Sequence, residues 1–288
     1  MSRKWAAGLF FKNIGMKVLE ITSAQNPKIK EVAALLEKSK ERRARQLFVV
    51  EGVRETAACL ANGFTVKSIF FNNQIVTPAQ IENIFPTNTP ATAQPALFSL
   101  TPAAYSKIAY RENTEGIVAV VEEKRLQLDQ VKFGRKWDQP LVLVVESVEK
   151  PGNLGALLRT ADACGIDAVL VCDPLTDLYN PNLIRSSLGG IFTNQVVACS
   201  NEEALAWLRA HNINIFTAQL QDSQWYYNTN MATPTAIVMG TESTGLTEFW
   251  RQASNAKIKI PMLGELDSLN VSVSAAILCY EAVRQRCL

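Results

Sequence analysis

The segment 260–281 joins a polar loop to the start of a helix, which is an arrangement suited to ligand binding. It runs from a predicted strand end through LGELDSLN into the apolar helical pattern VSVSAAILCYE. Ser268 and Asn270 stand where that helix begins. The first backbone N–H groups of a helix lack intrahelical acceptors, and the helix dipole is positive there. We therefore expect a ligand site at this loop, although simple N-capping of the helix would also use Asn270.

Two further polar loops follow predicted strands in the same half of the chain. The loop 146–155, ESVEKPGNLG, leads into a helix in which Arg159 lies about two turns beyond Asn153. The loop 240–245, GTESTG, carries Glu242 between a strand and a helix. Neither loop has the glycine spacing of a dinucleotide-binding or P-loop motif, and Glu242 would repel a phosphate. The loops therefore predict a pocket for a ligand with hydrogen-bond donors, such as ribose hydroxyls or an amine, rather than for pyrophosphate.

The elements that position these loops alternate between strand and helix over residues 140–288. The first strand, LVLVVE, is an unbroken apolar run of the kind found in central parallel strands. Alternating strands and helices with short loops predict an α/β domain whose parallel sheet is covered by helices on both faces. Ligands in such sheets bind beyond the carboxyl ends of the strands. The three loops all follow strands and are the candidates for that position.

The first half of the chain predicts a smaller α/β domain over residues 17–124, followed by a linker at 125–139 that lacks a strong period. Asn26 and Pro27 mark the start of a helix. The segment from Lys28 to Arg45 holds seven Lys or Arg residues against three Glu. Such a run is ordinarily a solvated helix face, and RNA contact is the alternative. The basic residues assigned to RNA contact are Lys28, Lys30, Arg42, Arg43, Arg45 and Arg54.

Composition limits the classes of chemistry open to the chain. The six cysteines form no C-x-x-C pair, which predicts reduced thiols in a cytoplasmic protein rather than disulfides or zinc. The single histidine, His211, lies at a predicted helix end, so a histidine-dependent triad is disfavoured. No apolar run is long enough to span a membrane. Residues 1–16 lack the apolar core of a secretory signal and are expected to form an extension, with Met16 as a candidate start.

Three stretches in the second half together resemble the SpoU (TrmH) branch of the SPOUT RNA methyltransferases. They are, in order, KPGNLGALLRTADACG, IVMGTESTGL and IPMLGELDSLNVSVSAAILCYE, and the match covers residues 141–286. The N-terminal half is similar to the substrate-binding domain that often precedes this domain in the family. One motif alone would be weak, whereas three motifs in order behind such a domain are highly specific.

The resemblance implies transfer of a methyl group from S-adenosylmethionine to a ribose 2′-hydroxyl of structured RNA, without a metal. It also implies a C-terminal deep trefoil knot and a homodimer with active sites near the subunit interface. General rules of chain topology would instead favour an open, unknotted sheet. Ribosomal RNA is expected ahead of transfer RNA as the substrate, because the basic helix and the two-domain layout suit a large folded RNA.

The motif positions carry the family's functional residues over to this sequence. The resemblance implies catalytic roles for Asn153, Arg159, Glu242, Ser268 and Asn270. It implies cofactor contacts, largely through the backbone, for Gly240, Ile260, Met262, Leu269 and Ser272. Two positions depart from the family pattern, since Lys150 stands where the first motif commonly has Asn and Ser243 where the second commonly has Gly. Neither departure removes a reactive group, although Ser243 narrows the backbone freedom of its loop.

The family assigns activation of the ribose hydroxyl to the arginine at the position of Arg159. A guanidinium stays protonated, so we expect Arg159 to bind the adjacent phosphate and stabilise the developing alkoxide. A phosphate oxygen or water would then accept the proton, while Ser268 and Asn270 would brace the catalytic loop. Two other readings stay open: a non-catalytic RNA-binding protein of the same fold, and a metal-dependent enzyme using strand-end acids such as Glu146 and Asp173.

Overall fold

The computed structural model describes residues 18–85, 94–110, 114–241 and 243–287, and the first half of them builds a five-stranded sheet. Its elements are β1 (Val18–Ile21), α1 (Pro27–Glu37), α2 (Ser39–Arg45), β2 (Leu47–Glu51), α3 (Val53–Ala61), β3 (Val66–Asn72), α4 (Pro78–Glu82), β4 (Ala96–Leu100), α5 (Pro102–Tyr105) and β5 (Ile117–Glu122). The strand order is β1-β4-β3-β5-β2. Strands β1, β4 and β3 run parallel, and β5 is antiparallel to both of its neighbours.

The basic segment of this half forms two helices where the sequence predicts one. Asn26 caps α1, because its side chain accepts a hydrogen bond of 2.9 Å from the backbone N–H of Lys28. The chain leaves the helical conformation at Lys38 (φ −116°, ψ 111°), and α2 then starts afresh. The sequence pattern does not predict the edge strand β1, because only one of its four residues is buried.

The second half builds a seven-stranded sheet in which every pair of neighbouring strands is parallel. Its elements are β6 (Leu141–Glu146), α6 (Pro151–Cys164), β7 (Ala168–Cys172), α7 (Pro181–Ser187), α8 (Gly190–Thr193), β8 (Val196–Cys199), α9 (Asn201–Ala210), β9 (Asn214–Ala218), β10 (Gln224–Trp225), β11 (Thr235–Met239), α10 (Glu248–Ala253), β12 (Ala256–Lys259) and α11 (Val271–Arg286). The strand order is β10-β12-β9-β11-β6-β7-β8.

The central strands of this sheet are buried along their whole length, as their apolar sequences predict. Every residue of β6, β7 and β11 is buried. Leu157 of α6 and Leu278 of α11 pack in the core on one face, whereas Trp207 of α9 and Trp250 of α10 pack in a second cluster. The prediction of an α/β fold with a parallel sheet covered on both faces is confirmed.

Helix α6 begins at Pro151, inside the segment 146–155 that the sequence predicts as a loop. Proline suits the first turn of a helix, because the N–H group that it lacks would have no intrahelical acceptor there. Asn153 therefore lies inside the first turn of α6 rather than in the preceding loop. The first motif thus places its asparagine directly on a helix N-terminus.

The two halves of the molecule share one continuous hydrophobic core. Phe48 of β2 stacks on Tyr179, with ring centroids 4.2 Å apart, and lies 6.0 Å from Phe192 of α8. Phe64, which follows α3, meets the ring of Phe192 edge-on at 5.2 Å. Rings from both halves therefore interlock, which holds the two sheets in one arrangement.

Arg42 strengthens this junction and does not lie on the surface predicted to contact RNA. Its Nε donates a hydrogen bond of 2.6 Å to Asp177, and its Nη1 donates one of 2.6 Å to the carbonyl of Leu35. The side chain is only 5% exposed. Because the guanidinium is buried and already bonded within the protein, Arg42 is removed from the predicted RNA surface.

The segment between the sheets, predicted as a linker over 125–139, holds one short 3₁₀ turn at Leu128–Gln130. It packs against the second sheet through Leu126, Leu128, Val131 and Phe133. The boundaries 17–124 and 140–288 on either side stay predictions. The predicted extension 1–16 lies outside the described residues. Within the described ranges, no helix has both the length and the apolar character needed to cross a membrane.

Candidate active site

The carboxyl ends of β9, β11 and β12 surround a cavity of about 320 Å³. Four of the five residues predicted to hold a cofactor lie in its wall, namely Gly240, Ile260, Met262 and Leu269. Ser268, predicted to brace the catalytic loop, lies there too. The volume falls at the lower end of the roughly 300–1,000 Å³ range of small-molecule pockets. The second and third motifs therefore meet around one ligand-sized space.

Gly240 lets the loop after β11 close on itself. Thr241 and Gly245 exchange two backbone hydrogen bonds, of 3.2 and 3.1 Å. A Cβ atom at Gly240 would overlap the backbone of Gly245 and Leu246, so only glycine fits here. Helix α10 then begins at Glu248, after the closed turn.

Two buried polar atoms in the cavity wall have no hydrogen-bond partner among the described residues, Gln219 Oε1 and Arg251 Nε. Leaving a buried polar atom unpaired costs about 1–3 kcal/mol. One atom is an acceptor and the other a donor, so a ligand with both kinds of polar group would satisfy them. The motifs do not point to Gln219, although its place just beyond the carboxyl end of β9 is a signal that could have found it.

Asn153 and Asn270 connect two helix N-termini next to this cavity. Asn270 Nδ2 donates a hydrogen bond of 3.3 Å to Asn153 Oδ1. The Oδ1 of Asn270 also accepts from the backbone N–H of Ser272 at 3.0 Å, which caps α11. Asn270 thus caps α11 and also contacts the first turn of α6. The positive ends of the α6 and α11 dipoles converge at this pair.

Arg159 is not part of this contact. Arg159 is exposed on α6 and, within the described part of the chain, makes no hydrogen bond or salt bridge. It follows Asn153 by six positions, which turns it about 240° around the helix axis to a different side. Glu242 lies outside the described residues. The guanidinium of Arg159 is therefore free to bind a group from outside the chain.

Three other motif residues lie near these helix starts. Ser268 Oγ donates to Asp267 Oδ1 at 3.1 Å. Ser272 is absent from the cavity wall, because its Oγ turns back to Asn270 Oδ1 at 2.6 Å. Lys150 occupies the N-cap position of α6, and its side chain makes no capping hydrogen bond. The substitution of the family's asparagine thus leaves the start of α6 without a side-chain cap.

The buried carboxylate of Glu146, which the motifs did not identify as a site residue, holds the end of the second motif's loop to the sheet. Glu146, at the end of β6, is 1% exposed and accepts hydrogen bonds from the backbone N–H and hydroxyl of Thr247. Asn201 donates to Glu146 at 3.0 Å and to Asp173 at 2.7 Å, and accepts one from the indole of Trp250 at 2.6 Å. The strand-end acids Glu146 and Asp173 therefore serve a hydrogen-bond network, and among the described residues no cluster could hold a metal ion.

The basic residues predicted to contact RNA are exposed, except for Arg42. Arg45 pairs with Glu31 at 2.6 Å and with Glu41 at 3.2 Å, which offsets its charge. The ammonium of Lys28 lies 5.0 Å from the centroid of the Phe98 ring. The other exposed members are Lys30, Arg43 and Arg54. RNA binding at this surface stays a prediction.

The histidine and most of the cysteines are packed or hydrogen-bonded within the protein and are not placed as reactive groups. His211 Nδ1 lies 2.8 Å from the carbonyl oxygen of Trp207, whose ring lies 4.6 Å from the imidazole. Burial raises the pKa of the Cys164 thiol to about 11, and burial also raises the pKa of Cys59 and of Cys279. These thiols are protonated and poorly reactive near neutral pH. Neither residue type contributes to the cavity.

The fold and the cavity define an α/β protein that binds a small ligand beyond the carboxyl ends of parallel strands. Residues 140–280 match the model of the SpoU rRNA Methylase family, and residues 26–119 match that of the MRM3-like substrate binding domain. The chain belongs to the SpoU rRNA methylase family. The resemblance seen in the three motifs is therefore confirmed, as is the nature of the domain that precedes them.

Known proteins resemble the chain over nearly its whole length. The 23S rRNA (guanosine(2553)-2′-O)-methyltransferase RlmP of Bacillus subtilis is 29% identical over 91% of this chain and 98% of its own. A crystal structure of an RNA 2′-O ribose methyltransferase is 37% identical, with a TM-score of 0.77, over 94% of this chain and 100% of that one. The AdoMet-bound rRNA methyltransferase from Sinorhizobium meliloti is 26% identical, with a TM-score of 0.83, over 93% and 98%.

Proposed function

We propose that the protein transfers a methyl group from S-adenosylmethionine to a ribose 2′-hydroxyl of ribosomal RNA. The observation that carries the proposal is the meeting of all three motifs at one place. The cavity formed by the second and third motifs adjoins the pair Asn153–Asn270, which brings in the first motif. RlmP of Bacillus subtilis, which is similar over both halves of the chain, is a 23S rRNA 2′-O-methyltransferase, and this favours ribosomal over transfer RNA.

The cavity suits S-adenosylmethionine in the polarity of its wall. Gln219 Oε1 can accept a hydrogen bond from an adenine amino group or a ribose hydroxyl, and Arg251 can donate one to a carboxylate. Ile260 and Leu269 border the same space. The two unpartnered polar atoms therefore match a cofactor that carries both donors and acceptors.

The chemistry requires alignment and charge stabilisation more than acid–base groups. When bound, S-adenosylmethionine supplies a methyl group already activated by its positive sulfur, so no metal is required for activation. The protein must align the hydroxyl oxygen with the methyl carbon and stabilise negative charge on that oxygen. We assign the converging N-termini of α6 and α11, together with Arg159, to hold the phosphate beside the target ribose. Arg159 keeps its proton, and a phosphate oxygen or water accepts the proton of the hydroxyl.

A homodimer is part of the proposal. Leu263 is 98% exposed and Leu266 76% exposed in the loop that borders the cavity. Val273 and Tyr280 continue this apolar surface along α11. Exposed apolar patches of this kind mark interaction surfaces. Sedimentation equilibrium should give a dimer for the wild-type protein and a monomer for Leu266→Asp, and a wild-type monomer at micromolar concentration would reject this part.

A deep trefoil knot is also proposed, on the family relationship and on the packing at the C-terminus. Helix α11 packs against α6 and against β11. In the sheet, β9 lies between β11 and β12. The chain therefore passes over β9 on its way from β11 to β12, and α11 then packs back against β11. These contacts are those expected if the C-terminal segment threads through an earlier loop. Slow refolding with a rate independent of protein concentration is the kinetic signature that would accompany the knot.

The enzymatic proposal is tested with labelled S-adenosylmethionine and RNA from a strain that lacks the protein. We expect incorporation into large-subunit ribosomal RNA and a new alkali-resistant ribose position, because 2′-O-methylation blocks backbone hydrolysis. Incorporation only into transfer RNA would mean that the substrate is transfer RNA and not ribosomal RNA. Tight RNA binding with no incorporation would instead establish the non-catalytic reading. RNA taken from cells that contain the protein is the matched control, since its site is already modified.

A further inference from the structure

A second, larger cavity of about 910 Å³ lies between the two sheets, away from the cofactor cavity. Its walls are the edge strand β8, the loop after β7, the linker and the start of α2. Strand β8 is three positions from β11 and five from β12 in the sheet. At about 4.8 Å per strand, the two cavities are roughly 14–24 Å apart. We call this second cavity the interdomain groove.

The interdomain groove carries an excess of positive charge. Among the residues that the structure describes, five cations line it, Arg43, Lys124, Arg125, Lys132 and Arg135, against two acids, Glu123 and Asp177. Both acids are already engaged. Glu123 pairs with Arg125 at 3.0 Å, and Asp177 pairs at 2.6 Å with Arg42, which is not in the lining.

Three of the remaining four cations are held by neutral groups, which leave their charge uncompensated. Lys124 Nζ donates to the carbonyl of Asn62 at 3.2 Å, and Arg135 donates to the carbonyl of Thr193 at 3.1 Å. Arg43 donates to the hydroxyl of Ser39 at 3.2 Å. All four, including Lys132, are exposed to solvent. The groove therefore presents fixed positive charges to any anion that enters it.

Besides the cations, amide side chains line the groove, and each already makes a hydrogen bond within the protein that fixes its position. They are Asn62, Gln127, Gln130, Asn180, Asn194 and Gln195. Amides and basic groups bind phosphate and sugar oxygens, which fixes the register of an RNA without reading its bases. Phe64 packs edge-on against Tyr179 and Phe192, and the ammonium of Lys124 lies 5.4 Å from the centroid of its ring, so this ring is already engaged within the protein. This composition favours the sugar-phosphate backbone of a helical segment over single-stranded bases.

We propose that the interdomain groove binds the phosphate backbone of a folded segment of the RNA substrate, remote from the nucleotide that is methylated. This inference rests on the proposed function. The stacked rings of Phe48 and Tyr179 and the pair Arg42–Asp177 hold the two walls together, so the cations are positioned before the RNA arrives. The separation of the groove from the cofactor cavity lets one folded RNA touch both. A flexible single-stranded substrate would gain little from the groove.

The test compares two double variants with the same loss of charge. Lys132→Ala with Arg135→Ala removes two cations of the groove. Lys107→Ala with Arg209→Ala removes two exposed cations elsewhere. Binding of a ribosomal RNA domain is measured over a range of KCl concentrations, and S-adenosylmethionine binding by calorimetry. The groove variant should bind RNA about 10-fold more weakly, and its dependence of log K on log [KCl] should flatten by about 2.

The steady-state kinetics should likewise distinguish the groove variant from the control variant. The groove variant should raise the KM for RNA with little change in kcat or in cofactor affinity, while the control variant stays close to wild type. Equal behaviour of the two double variants would overturn the groove as an RNA site. If the wild-type protein transfers no methyl group but its RNA binding still depends on Lys132 and Arg135, the proposed function fails and the groove stands.

Discussion

Glu146 and Thr247 lie 101 positions apart, yet the carboxylate of Glu146 accepts both the backbone N–H of Thr247, at 2.9 Å, and its hydroxyl, at 2.7 Å. Thr247 lies two residues beyond the closed turn Thr241–Gly245. Glu146 ends β6, just before the segment of the first motif. One buried side chain therefore ties the loop of the second motif to the strand that introduces the first.

We expect Glu146→Gln to weaken S-adenosylmethionine binding about 10-fold, because an amide cannot accept all the hydrogen bonds that the carboxylate accepts and about 1–3 kcal/mol is lost. Calorimetry of cofactor binding gives the affinity directly. The KM for RNA should change little, since Glu146 is buried. The control is Glu149→Gln, an exposed acid three positions further on. Equal cofactor affinity in the two variants would contradict the anchoring role of Glu146.

Gly240→Ala should abolish measurable cofactor binding, because the new Cβ atom would overlap the backbone of Gly245 and force the turn open. Gly264→Ala is the matched control. Gly264 lies in the neighbouring loop of the third motif, and a Cβ atom there meets nothing within 4 Å. Thermal shift with and without S-adenosylmethionine separates the two effects. If the Gly240 variant keeps its ligand-induced shift, the closed turn is not required for binding.

Arg159→Ala should lower the rate of methyl transfer by about 10²–10³-fold, the usual effect of removing a group that stabilises developing charge. Cofactor affinity should stay within a few-fold of wild type, because Arg159 is not in the cavity wall. Single-turnover measurements at saturating RNA test the transfer step itself. Arg185→Ala, another exposed arginine in the same half of the chain, serves as control. Normal single-turnover rates for the Arg159 variant would remove it from the chemistry.

Local patterns in the sequence were enough to predict most of the strands and the polar loops that follow them. Continuous apolar runs such as 141–146 have no polar face, so a buried parallel strand is their natural conformation. Gly240 and the segment 260–269 sit at strand ends, where parallel sheets place ligands. These features depend on residues close together in the chain, and the structure places them as expected.

Contacts between distant residues could not be predicted in the same way. A basic run from Lys28 to Arg45 looks uniformly solvated, yet Arg42 is buried because its partner Asp177 lies 135 positions away. The role of Glu146 likewise depends on Thr247, which carries no local sign of the contact. Neither pairing leaves a period or a spacing in the sequence. The interdomain groove is a product of such contacts and was invisible for the same reason.

Arg42→Met should destabilise the protein by about 3 kcal/mol, near the lower end for breaking a buried ion pair, because it leaves Asp177 without its partner. Denaturant unfolding gives the free-energy change. The double variant with Asp177→Leu should recover part of the loss, since no buried charge is then unpaired. Arg43→Ala, at the neighbouring exposed residue, should leave stability unchanged and reduce the salt dependence of RNA binding. If Arg42→Met instead left stability unchanged and reduced the salt dependence of RNA binding, Arg42 would belong to the RNA-binding surface.

Lys150→Asn should stabilise the protein by about 1 kcal/mol, the typical contribution of a side-chain N-cap. Lys150 holds the N-cap position of α6 with extended backbone angles (φ −84°, ψ 116°), but its side chain makes no capping hydrogen bond. An asparagine there can accept from an N–H group of the first turn, and the change also removes a positive charge from the positive end of the helix dipole. Thermal unfolding of Lys150→Asn and Lys150→Ala separates the two contributions, because alanine removes the charge without adding a cap. If both variants are equally stabilised, Lys150 lowers stability through repulsion by the helix dipole and not through the missing cap.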